Sequence, residues 1–200
     1  MKKKYFIFGS SSEIAQNLIK SISLDNEIIC FSSKKIDKLN KKIKFINTNY
    51  EGSKIEKILK NEIKKNRKNI FLFFNGISEQ DAFYKLNENR IRKIIKVNFL
   101  IPIIITNIII KNFFSSKLHF IYLSSSRALN IDKGISIYSS TKIGIQSFAK
   151  SMSLEYGELG LNFRVISLGL FVGGLEKKIS QKTRENILRR SSLKTNIKVN

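Results

Sequence analysis

The chain is predicted to form one doubly wound α/β domain, a parallel sheet in the order 3-2-1-4-5-6 with helices on both faces. Three observations point there. Short apolar runs alternate along the chain with segments whose apolar residues recur at helical spacing. The run from Ile70 to Phe74 is apolar at every position, as in a central strand buried on both faces. One proline and ten glycines in 200 residues leave little room for a linker, and no repeat is present. Residues 1–172 are therefore expected to form the body of this domain, and 173–200 a short basic segment of it.

Taken in order, Tyr5-Phe6-Ile7-Phe8 is the first strand. It ends in Gly9-Ser10-Ser11-Ser12, after which Ile14, Ala15, Leu18, Ile19 and Ile22 share one helical face. Strand, polar turn and helix in that order aim backbone N–H groups at a phosphate. The same segment also reads as an ordinary helix capped by Ser11 or Ser12. Glu27 to Phe31 is the second strand, followed by Ser32-Ser33-Lys34-Lys35 with no acid between Cys30 and Ile36. An acid at this strand end suits the ribose hydroxyls of NAD, whereas a basic residue suits a 2′-phosphate. NADP is thus expected over NAD, with Ser33 and Lys34 nearest the phosphate; the alternative is that both lysines are solvated loop charges.

Ile43 to Ile46 is the third strand, and Ser53 to Lys65 a crossover helix with Ile55, Ile58, Leu59 and Ile63 inward and its lysines wet. The fourth strand, Ile70 to Phe74, runs into Asn75-Gly76, where glycine lets the backbone approach a nucleotide. A long helix follows from Glu88 toward Ile110. Its apolar stretch is broken by Asn98, Pro102, Thr106 and Asn107, which favours a buried helix over a membrane span. His119 to Leu123 is the fifth strand and delivers Ser124-Ser125-Ser126 at its C-terminal end, where open α/β sheets place ligands. His119, at the other end, reads as structural. Ile145, Phe148, Ala149 and Met152 mark the next helix, and Asn162 to Leu168 the sixth strand, ending at Gly169.

The formal charge of +22 invites a nucleic-acid partner. Yet the lysines are scattered through every segment, and Lys, Ile, Asn and Phe are abundant together. A dedicated nucleic-acid role is not expected, whereas a preference for anionic ligands, a phosphorylated cofactor included, is. The lone Cys30 has no intramolecular disulfide partner, which fits a reducing cytoplasm. The N-terminal apolar run spans four residues, too short for a signal peptide. A cytoplasmic location is expected.

The chemistry concentrates between Ser124 and Ala149. Ser125 is followed thirteen positions later by Tyr138, and four further on by Lys142. Tyrosine and lysine at i and i+4 share one helix face. A nearby ammonium favours the phenolate, so the Tyr138 pKa is expected to fall toward the working pH. Such a phenol exchanges a proton with a substrate oxygen that a serine hydroxyl holds.

This order resembles the active site of the short-chain dehydrogenase/reductase family, with Tyr138-Ser139-Ser140-Thr141-Lys142 as its Tyr-x-x-x-Lys pair. The resemblance covers about Lys4 to Val172 and implies a Rossmann-type sheet and hydride transfer between a nicotinamide cofactor and a carbonyl or alcohol. Tyr138 would donate the proton, Ser125 would bind the carbonyl oxygen, and Lys142 would lower the tyrosine pKa and bind the nicotinamide ribose. Asn98, in Val97-Asn98-Phe99, would prop the lysine through a water and complete a proton path; from the residues alone it also reads as a cap on a kink before Pro102. The family's glycine turn T-G-x-x-x-G-I-G reads here Phe8-Gly9-Ser10-Ser11-Ser12-Glu13-Ile14-Ala15. Gly9, Ser11, Ser12 and Ile14 would line the cofactor, and Glu13 would repel the pyrophosphate unless turned to solvent. The family's N-N-A-G appears as Phe73-Phe74-Asn75-Gly76, placing Asn75 and Gly76 at the cofactor, with Asn49 near the adenine. Gly169 survives from a Pro-Gly pair, and Phe171 and Val172 would border the nicotinamide.

The family also implies a homodimer or homotetramer, paired through the apolar flank of the long helix with Phe113 and Phe114. Its pattern continues through a further helix and a seventh strand, so strand six is expected as a sheet edge. The substrate is expected to be a small carbonyl or alcohol; an acyl thioester on an acidic carrier or an anionic sugar nucleotide would both suit a basic protein. The departures at Glu13, at Phe73-Phe74-Asn75 and at Leu168 motivate a rival reading, a non-catalytic nucleotide-binding protein on the same fold.

Overall fold

Strands β1 (Lys3–Phe8), β2 (Glu27–Ser32), β3 (Lys44–Asn47), β4 (Lys68–Phe73), β5 (Leu118–Ser125) and β6 (Asn162–Leu168) pair in parallel in the order β3-β2-β1-β4-β5-β6. The structure is a computed structural model that describes residues 2–23, 25–36, 43–114 and 117–169, with 181, 184, 185 and 189 beyond them. The order is the one expected from the alternation of elements. Among the described residues β6 is a sheet edge; Phe171 and Val172 lie outside them.

Successive strand residues face opposite ways, and this sheet uses the alternation to sort its aromatics. Phe6, Phe71, Phe120 and Phe163 stand in register across β1, β4, β5 and β6, with stacked neighbours 4.8, 5.2 and 4.8 Å apart. A second row runs Phe31, Phe8, Phe73, Tyr122 at 4.6, 5.0 and 4.9 Å. Helices α2 (Gly52–Glu62), α4 (Ile101–Phe113) and α5 (Ser136–Tyr156) cover this face through Ile55, Leu59, Ile105, Ile109, Ile145 and Ala149. Each buried ring contributes roughly 1.5–3 kcal/mol. The opposite face is aliphatic: Ile7, Ile28, Cys30, Ile70 and Leu72 pack on Ala15 and Ile19 of α1 (Glu13–Ser21). Burial pushes the Cys30 thiol up to about 12, which makes it an inert core residue.

The long apolar helix is continuous from Glu88 to Phe113 but not uniform. It comprises α3 (Glu88–Ile95), a π turn (Lys96–Leu100) and α4. Pro102 has no N–H for the carbonyl four residues before it. The ladder widens there, and the Ile101 N–H reaches back to the Lys96 carbonyl. By length and composition alone this helix could cross a membrane. In the fold, Ile101, Ile105, Ile109 and Phe113 pack onto the aromatic face of the sheet.

Candidate active site

The C-terminal ends of β4 and β5 and the first two turns of α5 converge on one buried polar cluster. Ser125 is the last residue of β5, and Tyr138 and Lys142 lie one turn apart on the inward face of α5. All three side chains are buried. The structure thus brings together the three residues singled out by spacing. The Ser125 side chain faces the Tyr138 phenol and favours its ionised form. Lys142 sits over the Tyr138 ring, its Nζ 5.9 Å from the ring centroid, and donates to the Leu123 carbonyl at 2.9 Å.

One expectation is corrected. Lys142 does not pull the Tyr138 pKa down: burial raises it above the ordinary phenol value, against the opposing influence of the Ser125 side chain and the Arg127 charge. The lysine ammonium is committed to a main-chain carbonyl and lies over the ring face. Complete burial brings its own pKa down to about 8.

Asn98 sits within the π turn, 1% exposed. Its Oδ1 accepts from the Ile77 N–H at 2.8 Å, and its Nδ2 donates to the Ile77 carbonyl at 2.9 Å and to Thr141 Oγ1 at 3.2 Å. Thr141 in turn donates to the Tyr138 carbonyl at 2.7 Å. Asn98 therefore ties the strand-end loop after β4 to the residue preceding Lys142; these bonds engage Thr141 rather than the lysine ammonium. Phe99 presses on Gly144 of α5, where a Cβ would lie 2.9 Å from the ring. Helix and π turn meet there at a spacing only glycine allows.

The nucleotide cradle is built at the tips of β1, β2 and β4. Gly9 has φ +74, and a Cβ there would stand 2.6 Å from the Asn75 amide nitrogen, so the two strand ends meet backbone to backbone. Ser12 caps α1 by accepting from the Ala15 N–H at 3.3 Å, leaving Ser11 in the turn and Ile14 in the first helical turn. Glu13 is exposed on that turn. Asn75 is buried, and its Oδ1 has no hydrogen-bond partner. A glycine-only contact, a capped helix start and an orphaned buried carbonyl together fit a polar nucleotide. Gly76 leaves room beside Lys142 Nζ, which would lie 3.5 Å from a Cβ. Ser33 and Lys34 are exposed at the end of β2, with the Lys34 N–H donating to Ser32 Oγ at 3.0 Å. Asn49 is exposed, and Gly169 lies half-buried at the end of β6.

Tyr50 was not foreseen from sequence. Its hydroxyl accepts from the Gly9 N–H and donates to the Phe31 carbonyl, both at 2.9 Å, stitching β1 to β2 directly under the cradle. It does so from a left-handed backbone, φ 62, unusual for a bulky residue. Burial raises its pKa, against opposing hydrogen bonds to Gly9 and Asn75. A polar loop tyrosine carries no periodicity signal, and its partners lie 41 and 19 residues away.

Comparison with known proteins places these features. A family model described as short chain dehydrogenase matches residues 15–184. The 3-oxoacyl-(acyl-carrier-protein) reductase FabG of Buchnera aphidicola subsp. Baizongia pistaciae is 24% identical over 204 aligned positions, covering 96% of this chain and 83% of that protein. Among solved structures, 4-hydroxyisoleucine dehydrogenase complexed with NADH superposes with a TM-score of 0.81 at 21% identity, covering 99% of this chain and 86% of that one. ElxO with NADP bound gives 0.82 at 17%, covering 100% and 87%.

Proposed function

The chain belongs to the short-chain dehydrogenase family, and from that premise we propose that it is an NADP-dependent oxidoreductase that reduces a carbonyl or oxidises the corresponding alcohol. The observation that carries this reading is the burial together of Ser125, Tyr138 and Lys142, with the lysine ammonium over the tyrosine ring one turn further along α5.

The residues that would hold the cofactor are Gly9, Ser11, Ser12 and Ile14 at the pyrophosphate, Ser33 and Lys34 at the 2′-phosphate, and Asn75, Gly76 and Gly169 along its length. Lys142 would meet the nicotinamide ribose. The chemistry NADP supplies when bound is hydride donation or acceptance. Ser125 orients the substrate oxygen. Tyr138 gives up its phenolic proton to that oxygen in the reductive direction and takes it back in the oxidative one. Lys142, with a pKa of about 8, changes its own protonation near the working pH, so a ligand that hydrogen-bonds its ammonium holds it charged. Asn98, through Thr141 and Ile77, keeps α5 and the β4 loop in register.

The apolar flank of the long helix, with Leu100 and Ile104 exposed on it and Phe114 beyond, would pair the subunits of a homodimer or homotetramer; Phe113, expected at that contact, is buried in the core instead. The protein acts in the cytoplasm on a small substrate, anionic by preference; the excess of 37 basic over 15 acidic residues supports that charge preference. Titration with NADPH and NADH by thermal shift, followed by NADPH consumption with a panel of ketones and acyl thioesters, tests the reading. Tighter binding of NADPH and turnover of at least one carbonyl are expected. Binding of neither nucleotide removes the reading.

A further inference from the structure

The turn that follows β5 contains a charged side chain with no place in the chemistry so far. Arg127 lies in the short 3-10 turn Ser126–Ala128. Its N–H donates to Ser125 Oγ at 3.2 Å, and its carbonyl accepts from Ser139 Oγ at 2.9 Å, so its main chain touches Ser125 and the residue that follows Tyr138. The guanidinium is withdrawn from solvent, 13% exposed. Its Nε donates to Asp132 Oδ2 at 3.1 Å, and Asp132 is equally buried. Nη2 is buried with no hydrogen-bond partner. An arginine does not shed its proton in a protein. A permanent cation, only partly hydrogen-bonded, is therefore held against the strand end that carries Ser125. Incompletely satisfied buried charge is costly, and its position next to the proton-transfer pair supplies a reason for keeping it.

We propose that Arg127 is a positioning residue for proton transfer: anchored by Asp132, it sets a permanent positive charge behind the Ser125–Tyr138 pair while its main chain fixes Ser125 and the start of α5. This rests on the reading of Tyr138 as proton donor. During carbonyl reduction the carbon accepts hydride from reduced nicotinamide, and the carbonyl π pair moves onto oxygen. That oxygen bonds to the phenolic proton as the Tyr138 O–H bond breaks, leaving a phenolate. Arg127 stabilises this anion. Among the described residues, three elements bear on Tyr138. The β5 strand presents the Ser125 hydroxyl, and α5 presents Lys142, whose Nζ is bound to the Leu123 carbonyl and whose pKa is about 8. The turn presents Arg127 with Asp132 behind it. Burial dominates the phenol and raises its pKa; Ser125 and then Arg127 oppose the rise. Lys142 was expected in that electrostatic role and does not fill it.

The test reads Tyr138 directly, without cofactor or substrate. Tyrosinate absorbance is measured on the full chain at a fixed alkaline pH where circular dichroism shows the proteins folded, and the Tyr138→Phe signal is subtracted. In Arg127→Met, the ratio of phenolate to phenol at Tyr138 should drop roughly tenfold, as loss of a neighbouring charge implies. Arg127→Lys should recover most of it, and the pH–rate profile of alcohol oxidation should move to higher pH in step. Should Arg127→Met not fold, Arg127→Gln, which keeps the main-chain contacts and much of the volume, is held to the same criterion. An unchanged ratio in a folded, charge-free variant overturns the proposal, and so does a lysine variant no better than methionine. Because the reading needs no turnover, it fails or succeeds separately from the assignment of oxidoreductase activity.

Discussion

Lys142 Nζ donates to the carbonyl of Leu123, two residues before Ser125 on the same strand. The bond carries an ammonium into the interior at the point where β5 meets α5, and it makes Lys142 a cost to folding. The folded-state pKa is about 8, below the ordinary 10.5. Between those values the unfolded chain binds more protons than the folded one, so this residue's contribution to stability rises with pH. Urea unfolding of the parent and of Lys142→Met at a series of pH values isolates the effect. The parent should gain on the variant by about 3 kcal/mol between pH 8 and pH 10.5. A constant difference across that window would mean the lysine is solvated.

Gly9 provides a second check, this one on the cradle. Any side chain there meets two penalties, a left-handed φ of +74 and a contact of 2.6 Å with the Asn75 nitrogen. Gly9→Ala should cost about 2 kcal/mol or more and abolish nucleotide binding, both measurable by denaturant melts with and without NADPH. Ordinary stability and binding would show that the two strand ends are not so close.

The aromatic rows predict where the core is least forgiving. Phe71 is fully buried between Phe6 and Phe120, stacked at 4.8 and 5.2 Å. Phe71→Ala opens a cavity at the middle of the sheet and should cost about 3–5 kcal/mol, whereas Phe83→Ala, in the exposed turn after β4, should be nearly neutral. Equal melting temperatures for the two would contradict the layering.

How far the sequence is legible follows from the range of each contact. The strand order and the meeting of Ser125, Tyr138 and Lys142 rest on local period and on short spacings along one strand end and one helix, and both can be read from the residues. What Lys142 does with its charge cannot be read: i,i+4 spacing brings it near the tyrosine but says nothing of the Leu123 carbonyl on another element. Tyr50 is hidden for the same reason, its partners being set by how β1, β2 and the loop after β3 come together. Lys4, at a strand start that looks solvated, is 3% exposed because Glu62 and Glu27 reach it from α2 and β2. Asn98 and Pro102 announce an irregular helix, while the π turn itself depends on where the freed carbonyl finds a donor.

The proton step at Tyr138 is the claim on which the functional account turns. NADPH consumption with an accepted carbonyl, followed by absorbance for the parent and for Tyr138→Phe, addresses it most directly. The account predicts a rate loss of about 100-fold or more, with NADPH affinity and melting temperature retained, since the ring stays in place and only the hydroxyl beside Ser125 is removed. Equal rates in the two proteins would contradict it.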